Sequence, residues 1–172
     1  MSLRGSLLHV GCGGEVLPFW AVGEDLQETR LDTDPRHNPD FIASMTDMGD
    51  IGQYDIVFPS HCLEHVYPHE AKQALLEMRR VLVDGGVNMV IVPDLEDVKP
   101  TKDTVYECGG NKVCGLDIIY GHAIMLETNP YMAHKTGFTV DLLKEEFKEA
   151  GFKNITGMRI DVIHSIMVIG KK

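Results

Sequence analysis

The sequence predicts an α/β fold built on a mainly parallel sheet. Short apolar runs alternate with helical or loop segments along the whole chain. The first run, Ser6–Val10, passes straight into Gly11-Cys12-Gly13-Gly14, a strand-to-loop turn that leaves its backbone open. The last two runs, near Asn154–Arg159 and Ser165–Ile169, have too few residues between them for a parallel crossover, so they pair as an antiparallel hairpin. The 172 residues fit one domain with one core, and residues 1–172 are read as such.

Each element has a local cause. After the first strand, Pro18 interrupts Glu15–Gly23, so a helix there is short or broken. A second strand, Glu28–Leu31, ends in Asp32-Thr33-Asp34-Pro35. A brief third strand covers Phe41–Ala43, and a fourth, Tyr54–Phe58, is closed by Pro59. Pro68 suits the first turn of a helix. Behind it Ala71, Ala74, Leu75, Met78 and Leu82 share one face, and Asp84-Gly85-Gly86 is expected to end that helix. Val87–Val92 is the fifth strand. Residues 94–138 form a long connection with one amphipathic helix around Leu116–Leu126. A further helix spans Val140–Ala150, with Thr139 as N-cap and Gly151 after its C-terminus.

Composition narrows the function. Asp and Glu number 26 against 16 Lys and Arg, a formal charge of −10, which disfavours a nucleic-acid backbone as partner. No apolar run approaches the ~20 residues of a membrane span. Residues 1–6 lack the apolar stretch of a signal peptide. Four cysteines, at 12, 62, 108 and 114, lack the spacing of a disulfide framework, so a reduced, cytoplasmic setting is expected. Cys108 and Cys114 bracket a Gly-Gly turn, and whether they pair is left open by the sequence. So is the oligomeric state.

In an open parallel sheet, ligands bind beyond the carboxyl ends of the strands. Those ends carry Gly11-Cys12-Gly13-Gly14, Asp32 and Asp34, Asp47, and Ser60-His61. An acidic side chain after the second strand suits the two hydroxyls of a ribose, and one after the third suits an exocyclic amine. Together they describe an adenosine ligand. The third glycine of a dinucleotide fingerprint is replaced by Val16, and the Lys-Ser/Thr of a P-loop is absent, so a ligand without phosphates fits better.

The series Leu8-His9-Val10-Gly11-Cys12-Gly13-Gly14, Leu31-Asp32, Thr46-Asp47-Met48, Tyr54-Asp55-Ile56-Val57, Ser60-His61-Cys62-Leu63-Glu64-His65 and Arg79–Gly86 resembles class I S-adenosylmethionine-dependent methyltransferases. The resemblance implies a Rossmann-like, seven-stranded sheet of order 3-2-1-4-5-7-6 with strand 7 antiparallel. It implies S-adenosyl-L-methionine as cofactor, held by Gly11, Cys12, Gly13, Asp32 with Asp34 as fallback, Asp47, Met48, Ser60 and His61. Two departures stand out. His9 occupies the position where the family usually has an acidic residue, and Glu15 replaces the third glycine.

Methyl transfer from a sulfonium needs chiefly an aligned acceptor. A base is needed only where the acceptor loses a proton. Candidates for that role are His65, Tyr120, His122 and His134. The 94–138 segment is expected to cover the methyl donor and supply the acceptor pocket, and a small-molecule acceptor suits the acidic charge. His61 and His65, four apart, lack a third metal ligand unless Glu64 or His69 supplies one, and no metal is expected. The competing readings are a non-catalytic cofactor- or partner-binding domain and a nucleotide-dependent oxidoreductase, the latter without its fingerprint.

Overall fold

The computed structural model describes residues 4–17 and 25–172. β1 (Gly5–Val10) pairs in parallel with β2 (Leu26–Asp32) on one side and β4 (Tyr54–Pro59) on the other. β3 (Phe41–Ile42) extends the sheet beyond β2, and β5 (Leu82–Pro93) lies beside β4. The hairpin of β8 (Lys153–Ile160) and β9 (Ser165–Lys171) completes it, with β9 antiparallel to both β5 and β8. The order is β3-β2-β1-β4-β5-β9-β8, the expected seven-stranded arrangement. It places the first crossover reversal between β1 and β4, so a crevice opens at their carboxyl ends.

Strand periodicity divides the buried side chains between two faces. Leu8, Val10, Val57, Val90, Val92 and Val168 pack with α1 (Pro68–Arg80) and α4 (Val140–Glu149), whose Leu75, Met78, Leu143 and Phe147 are fully buried. On the other face Leu7, Ile56, Phe58, Met89, Ile91 and Met167 form a second cluster with Leu17. Thr139 caps α4 through Leu142 N at 3.3 Å, and Gly151 follows it at φ +87°, as the sequence predicts. Glu15, Val16 and Leu17 are not helical, and the rest of the stretch that Pro18 interrupts lies outside the described residues.

Two expectations are corrected. α1 stops at Arg80, and Leu82 already belongs to β5. The register jumps from Tyr54↔Leu82 to Ile56↔Val87, so Asp84-Gly85-Gly86 forms a bulge in the strand, with Gly85 at φ +80°. Leu82 reaches the same core from a strand that it would reach from a helix, so spacing alone could not separate the two. The long connection is also richer than one helix. β6 (Thr104–Cys108) and β7 (Asn111–Cys114) form a separate hairpin turned by Gly109 and Gly110, both at positive φ. The expected helix is two short ones, α2 (Gly115–Tyr120) and α3 (Ala123–Thr128), broken at Gly121 with φ +98°. Cys108 and Cys114 are free; Cys114 stands opposite Thr104, four residues along the strand from Cys108 and beyond disulfide reach.

Candidate active site

The glycine loop is tied to β2 from both sides. Gly11 and Cys12 donate their amides to the Leu31 carbonyl at 2.8 and 3.2 Å. Gly13 donates to Asp32 Oδ2 at 2.7 Å, while Asp32 Oδ1 accepts the Asp34 amide at 2.9 Å. The Arg30 guanidinium donates to the carbonyls of Gly13 and Glu15, both at 2.8 Å. Gly11, at φ +63°, has to be glycine for packing: a Cβ there would stand 2.6 Å from Cys62 Cβ. Gly13, at φ +48°, is different, because a Cβ there would meet nothing within 4 Å. Its open side is free for a ligand. Asp32 is partly exposed, and each of its oxygens uses one lone pair on an amide and keeps another.

The remaining expected binding residues separate clearly. The Asp34 carboxylate is taken by Arg36, which lowers its pKa to about 2, and it caps the short 3-10 turn Pro35–His37. Asp47 is exposed and closes a turn over Met45-Thr46, its amide on the Ser44 carbonyl at 3.1 Å. Met48 is 1% exposed, its side chain buried in the α1 face core and its amide donated to Glu77 Oε2 at 2.9 Å. Cys12 is likewise fully buried, and burial pushes its thiol up. Ser60 and His61 follow β4, with His61 N bound to the Ile91 carbonyl at 2.9 Å and Nε2 3.4 Å from Ser165 Oγ.

His9, the departure in β1, is 3% exposed and lies against the Phe58 ring. Its Nδ1 is 2.8 Å from Oε1 of Glu28 on β2. Burial pushes the imidazole pKa down, with Glu28 opposing, and the net direction is down. A carboxylate therefore does stand at this point of the sheet, supplied by the neighbouring strand. Only the β1–β2 register shows it.

The two ends of the 94–138 connection are pinned together by the Leu95 amide on the Phe138 carbonyl at 2.9 Å. Inside it, Lys135 N and Thr136 N donate to the Glu64 carbonyl at 2.8 and 3.2 Å, and His134 N donates to the Tyr120 carbonyl at 3.1 Å. These bonds bring His134 onto Glu64 and His65. Glu64 is 1% exposed, and neither carboxylate oxygen has a hydrogen-bond partner; His61 Nδ1, 3.5 Å from Oε1, is in ion-pair range only. Burial pushes the Glu64 carboxyl up, His61 and His65 pull it down, and the net direction is down. Burial holds the His134 pKa below its ordinary value despite Glu64. Tyr120 and His122 stand apart from this cluster. Tyr120 is exposed, and His122 caps α3 beside Asp117. Cys62, two residues before Glu64, packs on Gly11 and donates to the Val10 carbonyl at 3.4 Å, so it forms the wall between the glycine loop and the cluster. Arg30, Glu28, Cys62 and the buried state of Glu64 are contributions that sequence reading missed.

The sequence pattern of the family described as "Methyltransferase domain" matches residues 8–90. No curated protein matches the chain. Among solved structures, an O-methyltransferase family protein from Burkholderia thailandensis superposes with a TM-score of 0.66 at 14% identity, covering 98% of this chain and 51% of that one. An S-adenosylmethionine-dependent methyltransferase from Mesorhizobium loti gives 0.68 at 14% identity, covering 98% and 91%. A 1,6-didemethyltoxoflavin-N1-methyltransferase from Burkholderia thailandensis, with bound 1,6-didemethyltoxoflavin and S-adenosylhomocysteine, gives 0.62 at 14%, covering 98% and 71%. The chain thus spans about half the length of the first of these. At such identities the likeness establishes the fold.

Proposed function

We propose, from the premise that this chain has the class I S-adenosylmethionine-dependent methyltransferase fold, that it binds S-adenosyl-L-methionine and transfers the methyl group to a small-molecule acceptor. The observation that carries the reading is the junction of Gly13 and Asp32. A partly exposed carboxylate is locked at the end of β2 with lone pairs to spare, beside a glycine whose open side has no protein neighbour. These residues fit a nucleoside ligand. Asp32 would take the ribose hydroxyls, the main chain of Gly11–Gly13 would lie along the ligand, and Asp47 would meet the adenine amine. Ser60 and His61 would border it beyond β4. Arg36 occupies both Asp34 oxygens, which supports Asp32 rather than Asp34 as the ribose carboxylate.

The cofactor supplies a methyl group on a sulfonium, already joined to a good leaving group. The protein's part is to hold the acceptor in line and exclude water. The 94–138 insertion, returning over the β4 edge through Glu64, is the element that does so. Tyr120 and His122 line its outer part, and His65 and His134 its inner part against Glu64. The 1,6-didemethyltoxoflavin-N1-methyltransferase from Burkholderia thailandensis, alike in fold, was solved with 1,6-didemethyltoxoflavin bound, which supports a small-molecule acceptor here. The four free cysteines support a cytoplasmic setting, and among the described residues no helix is long and apolar enough to cross a membrane.

The test is to incubate the purified protein with S-adenosylmethionine and a panel of small hydroxyl, thiol and amine acceptors, and to quantify S-adenosylhomocysteine. Acceptor-dependent product supports methyl transfer. Binding of the cofactor without turnover on any acceptor would instead favour a non-catalytic binding domain.

A further inference from the structure

One ligand-capable atom from each of Glu64, His65 and His134 lies within 4.8 Å of the other two. The hydrogen bonds around the rings decide which nitrogen is free to bind. His65 Nδ1 is 3.3 Å from the Ala133 carbonyl, and His134 Nδ1 is 2.9 Å from the Ile118 carbonyl. A carbonyl only accepts, so each Nδ1 carries a proton, and in the neutral ring Nε2 keeps its lone pair. Glu64 adds two buried carboxylate oxygens with no donor. The cluster therefore gathers acceptors around a point where the nearby donor, His61 Nδ1, stands off at 3.5 Å, an arrangement that costs free energy unless a cation sits there.

We propose that Glu64, His65 and His134 form a binding site for a first-row divalent transition ion of the zinc type. Two imidazoles favour such an ion over magnesium or calcium, which prefer oxygen ligands. Main-chain carbonyls on the far nitrogens are the outer partners that orient metal-bound histidines. Zinc-to-ligand distances of about 2.0–2.2 Å need the three side chains to draw together slightly. Rotation of His65 and His134, both only partly buried, provides that movement. Three protein ligands leave a tetrahedral ion one position for water or another ligand. His61, 3.5 Å from Glu64, flanks the site. His69, the other nearby imidazole in sequence, is exposed and stacked on Tyr67, outside the cluster. The site adjoins the proposed acceptor pocket, and its assignment to a metal does not use methyl transfer.

The experiment strips the full-length protein with a chelator, dialyses it against zinc alone, and measures bound metal by mass spectrometry. Cobalt(II) titration, followed in the visible spectrum, gives affinity and coordination. About one ion per chain is expected for the wild type and for His69→Ala. Glu64→Gln, His65→Ala and His134→Ala should each bind more than about tenfold more weakly. Glu64→Gln keeps the side-chain shape, and circular dichroism checks that each variant is folded. No ion in the wild type would overturn the proposal, as would folded variants that bind as tightly as the wild type. Neither outcome bears on cofactor binding, since no methyl donor is present.

Discussion

The amide of Gly13 donates to Oδ2 of Asp32 across 2.7 Å, so the glycine loop after β1 and the carboxylate after β2 are one unit. Asp32 fixes the loop and, on the proposed reading, also faces the ligand. Asp32→Ala should weaken S-adenosylhomocysteine binding by about 10- to 100-fold, taking ~1.5–3 kcal/mol for charge-assisted bonds. It should also lower stability, because two main-chain amides lose their acceptor. Asp34→Ala should leave affinity within about threefold, since Arg36 already occupies that carboxylate. Calorimetric titration of both variants checks this, and the reverse order would transfer the ribose role to Asp34.

The two positive-φ glycines of the loop should respond differently. Gly11→Val drives a side chain into Cys62 and should prevent stable folding. Gly13→Val enters open space, so the protein should fold at a cost of about 1–2 kcal/mol while cofactor binding is lost. Thermal melts with and without S-adenosylhomocysteine separate the two outcomes.

His9 gives stability an acid-side dependence. Burial holds its native pKa below the unfolded value of 6.5, so below that pH the unfolded chain binds more protons than the native one. Its contribution is therefore present above pH 6.5 and is lost as pH falls below it, at no more than about 1.4 kcal/mol per pH unit. Denaturation of the wild type and His9→Gln at pH 7.5 and 5.5 measures the difference, and the wild type should show the steeper loss.

The thiols should fall into two classes. Cys108 is exposed and Cys114 partly so, whereas Cys12 and Cys62 are buried with thiols pushed up by burial. A disulfide reagent should titrate the outer pair quickly in the native protein and all four cysteines in denaturant without prior reduction.

The parallel part of the fold was legible because its signals are local. Strand runs, the glycine turn, the caps of α4 and the short β8–β9 connection each sit within about ten residues. The end of α1 was not, since Leu82 follows Met78 at helical spacing while belonging to a strand. The β6–β7 hairpin has a readable signal only in part, the β-prone Thr104–Tyr106 run and the Gly109-Gly110 turn, while Asn111-Lys112 disfavours a strand. The site divides in the same way. Gly11, Gly13 and Asp32 lie where the strand ends put them. The Glu64–His134 contact joins residues seventy apart and depends on hydrogen bonds from Lys135 and Thr136, while Glu28 reaches His9 only through strand register. No spacing rule contains either.

The most direct measurement is calorimetric titration of the wild-type protein with S-adenosylhomocysteine and, separately, with NAD. One saturable site for S-adenosylhomocysteine and no binding of NAD is the expected result. A folded protein that binds NAD, or that leaves S-adenosylhomocysteine unbound, would contradict the assignment of the Gly13–Asp32 junction to a methyl donor.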